Sequence, residues 1–150
     1  MIADVRTILL AEDNANDVEL TLAALRENHL VNPVVLARDG SEALDYLQRR
    51  NQYADRMAAN PALMLLDLKM PKVDGIEVLK VVKADPQLKT IPIVVLTSSC
   101  EEQDLVRSYD LGVNAYVVKP VAFPDFVQAV KLLGGFWAVL NEPPPARVAS

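Results

Sequence analysis

Short, almost wholly apolar runs recur along the chain, separated by longer segments in which apolar residues return every three or four positions. The runs are four to six residues long and occupy residues 7–11, 33–37, 62–66, 91–96 and 115–118. Their lack of apolar–polar alternation is typical of strands buried on both faces of a parallel sheet. Because each run is followed by a helical segment, the pattern predicts five βα units. Right-handed crossovers then give an α/β fold with a doubly wound five-stranded parallel sheet.

The predicted helices begin and end at residues with known capping or turn preferences. Asn16 and Glu19 have the spacing of a capping box, which predicts the start of the first helix. Asp39 precedes a glycine and predicts the start of the second helix, and Asp85, which precedes a proline, predicts the end of the third. The fourth helix is expected between residues 99 and 112, where a capping-box spacing opens it and a glycine ends it.

The last predicted helix carries a long apolar stripe. Its members recur at three- and four-residue steps: Phe123, Phe126, Val130, Leu133, Trp137 and Leu140. Packing of one face on the sheet would explain such a stripe by itself. The stripe nevertheless extends over about five turns, further than the sheet is expected to cover, and an exposed apolar surface with a large aromatic residue favours an interface. We therefore expect a two-fold symmetric homodimer through the C-terminal helix.

The length, composition and net charge limit the number of domains and the kind of partner that the chain can have. With 150 residues, 51% of them hydrophobic, the chain can bury one core, and we assign residues 1–140 to a single domain. Residues 141–150 form a Pro-rich tail too short to fold as a second domain. We therefore expect the output to be a contact with another protein, a change of dimer, or the removal of phosphoryl groups from a kinase. The formal net charge of -5 argues against nucleic acid as a partner.

Scarce cysteine and histidine exclude several kinds of site. The only cysteine is Cys100, so the chain has no internal disulfide framework and no multi-thiolate zinc site. The only histidine is His29, which excludes a multi-histidine metal centre and disfavours a histidine-dependent catalytic triad. Apolar stretches fall well short of a membrane-spanning helix, and the N-terminus lacks the pattern of a signal peptide. These features predict a cytoplasmic protein without a membrane contact.

Polar side chains stand at the ends of four predicted strands. Glu12 and Asp13 follow the first strand, Asp67 the third, Thr97 the fourth and Lys119 the fifth. Because the carboxyl ends of parallel strands meet at one edge of the sheet, these side chains are expected to converge in the crevice there.

Grouped carboxylates repel one another unless a cation compensates them. A hard divalent cation such as Mg²⁺ binds one or two carboxylates and phosphate oxygens. Lys119 is a point charge suited to a phosphoryl group, and the Thr97 hydroxyl can donate to one of its oxygens. Asp67 is then either a metal ligand only, or also the nucleophile that takes the phosphoryl group.

Four segments resemble the receiver domain of response regulators: ILLAEDN (8–14), LMLLDLKMPKVDG (63–75), PIVVLTSS (92–99) and NAYVVKP (114–120). They occur in order and at the spacing usual in that family, and the resemblance covers about residues 6–140. It implies a flavodoxin-like fold with sheet order 2-1-3-4-5. It also implies a single-domain regulator of a two-component system, which signals by a conformational change after phosphorylation.

The same resemblance implies a role for each candidate residue. Asp67 would accept the phosphoryl group, and Lys119 would contact it. Mg²⁺ would be bound directly by Asp13 and Asp67, through water by Glu12, and by the main-chain carbonyl of Lys69. The Lys119–Pro120 peptide bond would be cis.

The resemblance also implies a switch pair, Thr97 and Tyr116. Thr97 would move toward the phosphoryl group, and Tyr116 would turn inward in response. Neither residue would carry that role by its type alone, since a threonine at a strand end can cap a helix and a tyrosine can simply pack.

Three further segments resemble the small regulators that are paired with bacterial and cyanobacterial phytochromes. These are NANDVELTLAAL (14–25), NQYADRMAANP (51–61) and a last helix running into LNEPPP (140–145). This resemblance implies a sensor histidine kinase that binds a bilin as the partner, and a homodimer.

Other functions use the same fold or the same nucleophile. An aspartate-nucleophile phosphatase or mutase needs a second acid two residues after the nucleophile, and Lys69 stands there instead. A flavin carrier needs a phosphate-binding loop after the first strand, where Glu12 and Asp13 would repel a phosphate. A pseudo-receiver used only for docking would not need the complete acidic pocket. We therefore expect a protein that catalyses only its own phosphorylation and dephosphorylation.

Overall fold

The computed structural model describes residues 7–27, 32–56, 60–97, 110–113 and 115–131. Five strands and four helices lie within these residues. In chain order they are β1 (Ile8–Ala11), α1 (Ala15–Glu27), β2 (Val34–Ala37), α2 (Gly40–Gln48), a 3₁₀ turn (Asn51–Tyr53), β3 (Leu63–Asp67), α3 (Gly75–Ala84), β4 (Ile93–Thr97), β5 (Ala115–Val118) and α4 (Phe123–Lys131).

All four strand pairs are parallel, and the strand order is β2-β1-β3-β4-β5. The chain leaves β1 toward one edge of the sheet and then returns to build β3, β4 and β5 on the other side. The order therefore reverses between β1 and β3, which is where a crevice opens at the carboxyl ends of a doubly wound sheet. The predicted fold class and strand order are confirmed.

Two apolar layers hold the helices against the sheet. One layer joins α1 and α4 to alternate strand residues, including Leu10, Leu65 and Leu96. The other joins α2 and α3 to the intervening strand residues, such as Met64 and Val95. The strands β1, β3 and β4 are buried along their whole length, as their continuous apolar sequences predict.

The two edge strands depart from that prediction. In β5, Ala115 and Val117 are buried, whereas Tyr116 and Val118 are 39% and 38% exposed. In β2 only Ala37 is fully buried. An edge strand has one neighbouring strand instead of two. The prediction that both faces are buried is therefore wrong for these two strands.

The start of α1 also differs from the prediction. The N-cap is Asn14, whose Oδ1 accepts a hydrogen bond of 3.0 Å from the backbone N–H of Asp17. Asn16 and Glu19 both lie inside the helix, so the predicted capping pair was wrong by two residues. The same spacing of three residues fits Asn14 and Asp17, with an aspartate in place of the usual glutamate.

The other described helix boundaries agree with the sequence. Asp39 caps α2 by accepting from the N–H of Glu42, and Asp74 caps α3 in the same way. Asp85 ends α3, as predicted. Most of the fourth predicted helix lies outside the described residues, but its last position, Gly112, has a φ of 84°, the left-handed conformation expected of a C-terminal cap.

Residues 132–150 lie outside the description, and with them the distal part of the apolar stripe, the predicted domain boundary at residue 140 and the tail. Within the stripe, Phe126 is completely buried and belongs to the layer between α4 and the sheet. Among the described helices, none combines the length and apolar character required to cross a membrane.

Gly75 lets the N-terminus of α3 lie directly on the end of β3. Its N–H donates to the carbonyl of Leu68 at 2.9 Å, and a Cβ atom at this position would collide with the backbone carbonyl of Asp67. The glycine therefore sets how closely α3 approaches the strand end that carries Asp67.

We predict that Gly75→Ala lowers the free energy of unfolding by about 1–3 kcal/mol, because the backbone must shift to admit the methyl group. Helix propensity alone would act in the opposite direction, by up to about 1 kcal/mol. Urea unfolding of the variant, with Lys80→Ala at an exposed position of α3 as control, measures the difference. A stabilised Gly75→Ala protein would contradict the close approach.

Candidate functional site

The expected polar side chains do converge at the carboxyl edge of the sheet. Glu12 and Asp13 follow β1, Asp67 ends the adjacent β3, Thr97 ends β4 and Lys119 follows β5. Glu12, Asp67 and Thr97 are buried, whereas Asp13 is exposed at the mouth of the crevice. The strand order and the shared direction of the strands thus bring together residues more than a hundred positions apart.

Lys119 is the centre of this arrangement. Its Nζ lies 2.7 Å from Glu12 Oε1, 2.9 Å from Asp17 Oδ2 and 3.2 Å from Asp67 Oδ2. The side chain is only 7% exposed, so the ammonium is held among carboxylates and largely away from water. An ammonium has three N–H donors, and here three carboxylates surround it.

The backbone of Lys119 is held as firmly as its side chain. Its N–H donates to the carbonyl of Thr97 at 2.7 Å, which continues the β4–β5 ladder past the last strand residue. The Lys119–Pro120 peptide bond is cis, as the resemblance implied. The ammonium therefore projects from a backbone position that the sheet itself defines.

Asp17 is the residue that the sequence reasoning missed. It lies in the first turn of α1 rather than at a strand end, and it was not among the candidate site residues. A signal was present in the sequence, since Asn14 and Asp17 have capping-box spacing. With Asn14 as the N-cap, Asp17 falls in the turn of α1 nearest the carboxyl edge of the sheet.

Backbone N–H groups orient the two buried carboxylates. Glu12 Oε2 accepts from the N–H of Asn14 at 3.1 Å, and Asp67 Oδ1 accepts from the N–H of Lys69 at 3.2 Å. In each carboxylate the other oxygen faces Lys119. The Lys69 side chain is exposed, so this residue contributes to the site through its backbone.

Burial and charge act against each other on the titration of these groups. Burial raises the pKa of Glu12 to about 7, an effect that the Lys119 ammonium reduces and the nearby Asp67 reinforces. Burial also raises the pKa of Asp67, again opposed by Lys119. For Lys119 burial alone would lower the pKa, but the contacts with Glu12, Asp17 and Asp67 outweigh it and raise the pKa. The lysine therefore stays charged at neutral pH.

The acidic residues also fit a divalent cation. Glu12, Asp13 and Asp67 each offer a carboxylate oxygen, and these three atoms lie within 4.8 Å of one another. Oxygen-only ligands suit a hard cation. The single ammonium does not neutralise all of the carboxylates at this edge, so a bound cation would relieve the remaining repulsion.

The two residues of the expected switch pair share one face of the sheet. Thr97 pairs with Val118 and Val95 with Tyr116, and alternate residues of a strand point to the same face. Thr97 is 1% exposed at the end of β4, whereas Tyr116 is 39% exposed on β5. The threonine thus lies at the acidic crevice, and the tyrosine lies further back along the sheet with its ring partly in solvent.

The doubly wound sheet has the order 2-1-3-4-5, and acidic residues and a lysine lie at the carboxyl edge where the strand order reverses. These features define a flavodoxin-like protein. Within that class the family is also shown, because the sequence model of the response regulator receiver domain matches residues 8–131. The chain belongs to the response regulator receiver family.

Individual relatives agree with this family. The chain is 39% identical to the response regulator Rcp1 of a Synechocystis species over 132 residues, which cover 88% of each protein. A solved structure of Rcp1 in its Mn²⁺-bound form superimposes with a TM-score of 0.74 at 39% identity and covers 94% of this chain and 99% of that one.

Two solved bacteriophytochrome response regulators are more similar in sequence. AtBRR is 61% identical, with a TM-score of 0.83 and coverage of 93% of this chain and 100% of that one. RtBRR is 58% identical, with a TM-score of 0.85 and coverage of 95% and 86%. The chain is therefore homologous to response regulators named for phytochromes.

We predict that divalent-cation binding strengthens as the pH rises through about 7. Below that pH the Glu12 carboxyl is protonated, and above it the carboxylate charge that favours a cation is present. Calorimetric titration with Mg²⁺ from about pH 6 to about pH 8 should show proton release on binding. Glu12→Gln should bind more weakly and lose this pH dependence, and Asp13→Ala should lose binding. Unchanged titration of Asp13→Ala would remove Asp13 from the ligand set.

Proposed function

We propose that this protein accepts a phosphoryl group on Asp67 from a partner histidine kinase and signals through the change in conformation that follows. The supporting observation is the Asp67 carboxylate itself, buried at the end of β3 with Oδ2 3.2 Å from the Lys119 ammonium and Oδ1 bonded to the N–H of Lys69. A carboxylate held on both sides in this way is a preorganised nucleophile.

In the proposed transfer, an oxygen of Asp67 attacks the phosphorus of a phosphohistidine. The new bond is P–O, the bond that breaks is P–N, and the leaving imidazole keeps the electron pair of the broken bond. The Lys119 ammonium stabilises charge on the phosphoryl oxygens, and the Thr97 hydroxyl donates to one of them. Mg²⁺ held by Asp13, Asp67, the carbonyl of Lys69 and, through water, Glu12 would supply further charge neutralisation.

The conformational response is proposed to run from Thr97 to Tyr116. Thr97 is buried at the end of β4, beside the acceptor strand β3, and its hydroxyl would donate to a phosphoryl oxygen. The partly exposed Tyr116 ring shares its face of the sheet and would turn inward as Thr97 moves. Tyr116 lies on an edge strand, so this motion would alter a surface that other proteins can reach.

The partner proposed here is a bilin-binding phytochrome histidine kinase. This proposal is supported by the identity of 58–61% with RtBRR and AtBRR, each named as a bacteriophytochrome response regulator. Such a kinase would act in the cytoplasm. We further propose that the chain is not an enzyme toward other substrates, because the position two residues after Asp67 carries Lys69, whose exposed side chain cannot act as a general acid.

We predict that the parent protein gains the mass of one phosphoryl group when incubated with Mg²⁺ and a small acyl phosphate. Asp67→Asn keeps the shape of the side chain but loses the nucleophile, so it should fold and gain no mass. Intact-protein mass spectrometry makes the measurement, and Asp74→Asn, at the helix cap of α3, is a control that should still be labelled. Labelling of Asp67→Asn at the parent rate would disprove the proposed acceptor.

The Lys119→Ala variant distinguishes acceptance of the phosphoryl group from the conformational response to it. We predict that this variant still binds Mg²⁺ and can carry the phosphoryl group, but does not convert it into a change of conformation. Tyr116 provides the readout, since its ring signals in NMR spectra should shift on phosphorylation of the parent and stay unchanged in Lys119→Ala. A parent-like shift in the variant would contradict the role of the lysine.

A homodimer through the C-terminal helix completes the proposal. It is supported by the apolar stripe of the sequence, which continues past α4 to Leu133, Trp137 and Leu140, beyond the residues that the structure describes. The adjoining β5 surface, with Tyr116 and Val118 partly exposed, would extend such an interface. Phosphorylation could then bias the dimer through Tyr116.

We predict that the parent dimerises at tens of micromolar and that Trp137→Ala combined with Leu140→Ala weakens the dimer, since both changes remove apolar contact area. Sedimentation of the parent, this double variant and a chain ending after Leu133 measures the effect. A parent that is monomeric with and without phosphorylation would refute the dimer. A dimer that survives both changes would place the interface elsewhere.

A further inference from the structure

The ammonium of Lys119 has a third carboxylate partner outside the strand ends. Asp17 Oδ2 lies 2.9 Å from Nζ in hydrogen-bonding geometry, a shorter separation than the 3.2 Å to Asp67. Asp17 is 20% exposed, and it comes from α1 rather than from the sheet. Nothing in the transfer chemistry described above requires this residue.

Asp17 is fixed on both sides of its backbone. Its N–H donates to Asn14 Oδ1 at 3.0 Å, and its carbonyl accepts from the Thr21 hydroxyl at 2.8 Å. Asn14 in turn donates its N–H to Glu12 Oε2 at 3.1 Å. A continuous chain of hydrogen bonds thus ties the first turn of α1 to the same carboxylate that Lys119 contacts, so the Asp17 side chain reaches Lys119 from a defined position.

The location of the ammonium is a balance among three negative charges. Lysine has a flexible stem, and its ammonium is a point charge that moves toward whichever anions surround it. Without Asp17, the ammonium would be drawn further onto Glu12 and Asp67, because the opposing attraction would be gone. A tighter pair with Asp67 would make that carboxylate a poorer nucleophile.

We propose that Asp17 is a positioning residue for Lys119, which holds the ammonium partly toward α1 so that it supports the phosphoryl group without closing off Asp67. The inference rests on the proposed phosphoryl acceptance and assigns to α1 a direct part in it. Asp17 acts through Lys119 and does not touch the reacting atoms.

The first measurement is the rate of phosphorylation by a small acyl phosphate at saturating Mg²⁺, followed by mass spectrometry. Asp17→Asn keeps the size of the side chain and the backbone bonds, and it should react on the order of tenfold more slowly than the parent. Asp17→Ala also removes the acceptor oxygen and should be at least as slow. Glu19→Gln is the matched control, because it removes one charge from an exposed position of the same helix and should keep the parent rate.

The second measurement is the ¹⁵N resonance of the Lys119 ammonium in unphosphorylated protein. It should shift in Asp17→Asn and stay unchanged in Glu19→Gln, since Asp17 contacts that ammonium and Glu19 lies at an exposed position of the same helix. Slower phosphorylation of Asp17→Asn without a shift of this resonance would show that Asp17 acts by another route and would overturn the proposal. A parent-like rate in Asp17→Asn, or a faster rate in Asp17→Ala than in Asp17→Asn, would overturn it as well.

The two proposals fail in different ways. A parent protein that gains no phosphoryl mass, or that gains it equally in Asp67→Asn, would refute the proposed function itself, and the positioning role with it. A parent that is labelled on Asp67 while Asp17→Asn matches its rate would refute the positioning role alone.

Discussion

One buried ammonium shared by three carboxylates determines how the carboxyl edge of this protein is organised. Glu12, Asp17 and Asp67 come from β1, α1 and β3, and Lys119 from the end of β5. Buried charges are costly unless they are paired, so the burial of this cluster depends on the placement of all four elements. The cluster is thus both the chemical centre of the molecule and a constraint on its fold.

The rest of the structure fixes the positions of these charged residues. The parallel registers of β1, β3, β4 and β5 place Glu12, Asp67, Thr97 and Lys119 at one edge, and the bond from Lys119 N–H to the Thr97 carbonyl extends the sheet into the site. Gly75 admits α3 to the end of β3, and Asn14 anchors α1 beside Glu12. The position of the Asp67 carboxylate therefore depends on packing that the two apolar layers maintain.

Most of the fold and of the site could be predicted from the sequence, because the fold follows from the buried strands and the site from the polar residues at their ends. Continuous apolar runs identify the strands, and a polar residue after each run falls at the common edge. Asp17 could not be found this way, since its place depends on where α1 begins. With Asn16 as the expected cap, the predicted helix start lies two residues too far along the chain, and Asp17 is not expected at the site. The exposure of Tyr116 and Val118 was also missed, because an apolar run does not reveal whether its strand lies at an edge.

The distance along the chain between the charges of the cluster has a consequence for synthesis and folding. Asp17 and Lys119 are 102 residues apart, and Lys119 follows β5, the last described strand along the chain. Until β5 pairs with β4, a nascent or partly folded chain holds three neighbouring carboxylates without their cation, and their mutual repulsion opposes closure of the edge. Lys119 reaches these carboxylates only when β5 is in place beside β4. Completion of the acidic cluster therefore depends on completion of the described sheet.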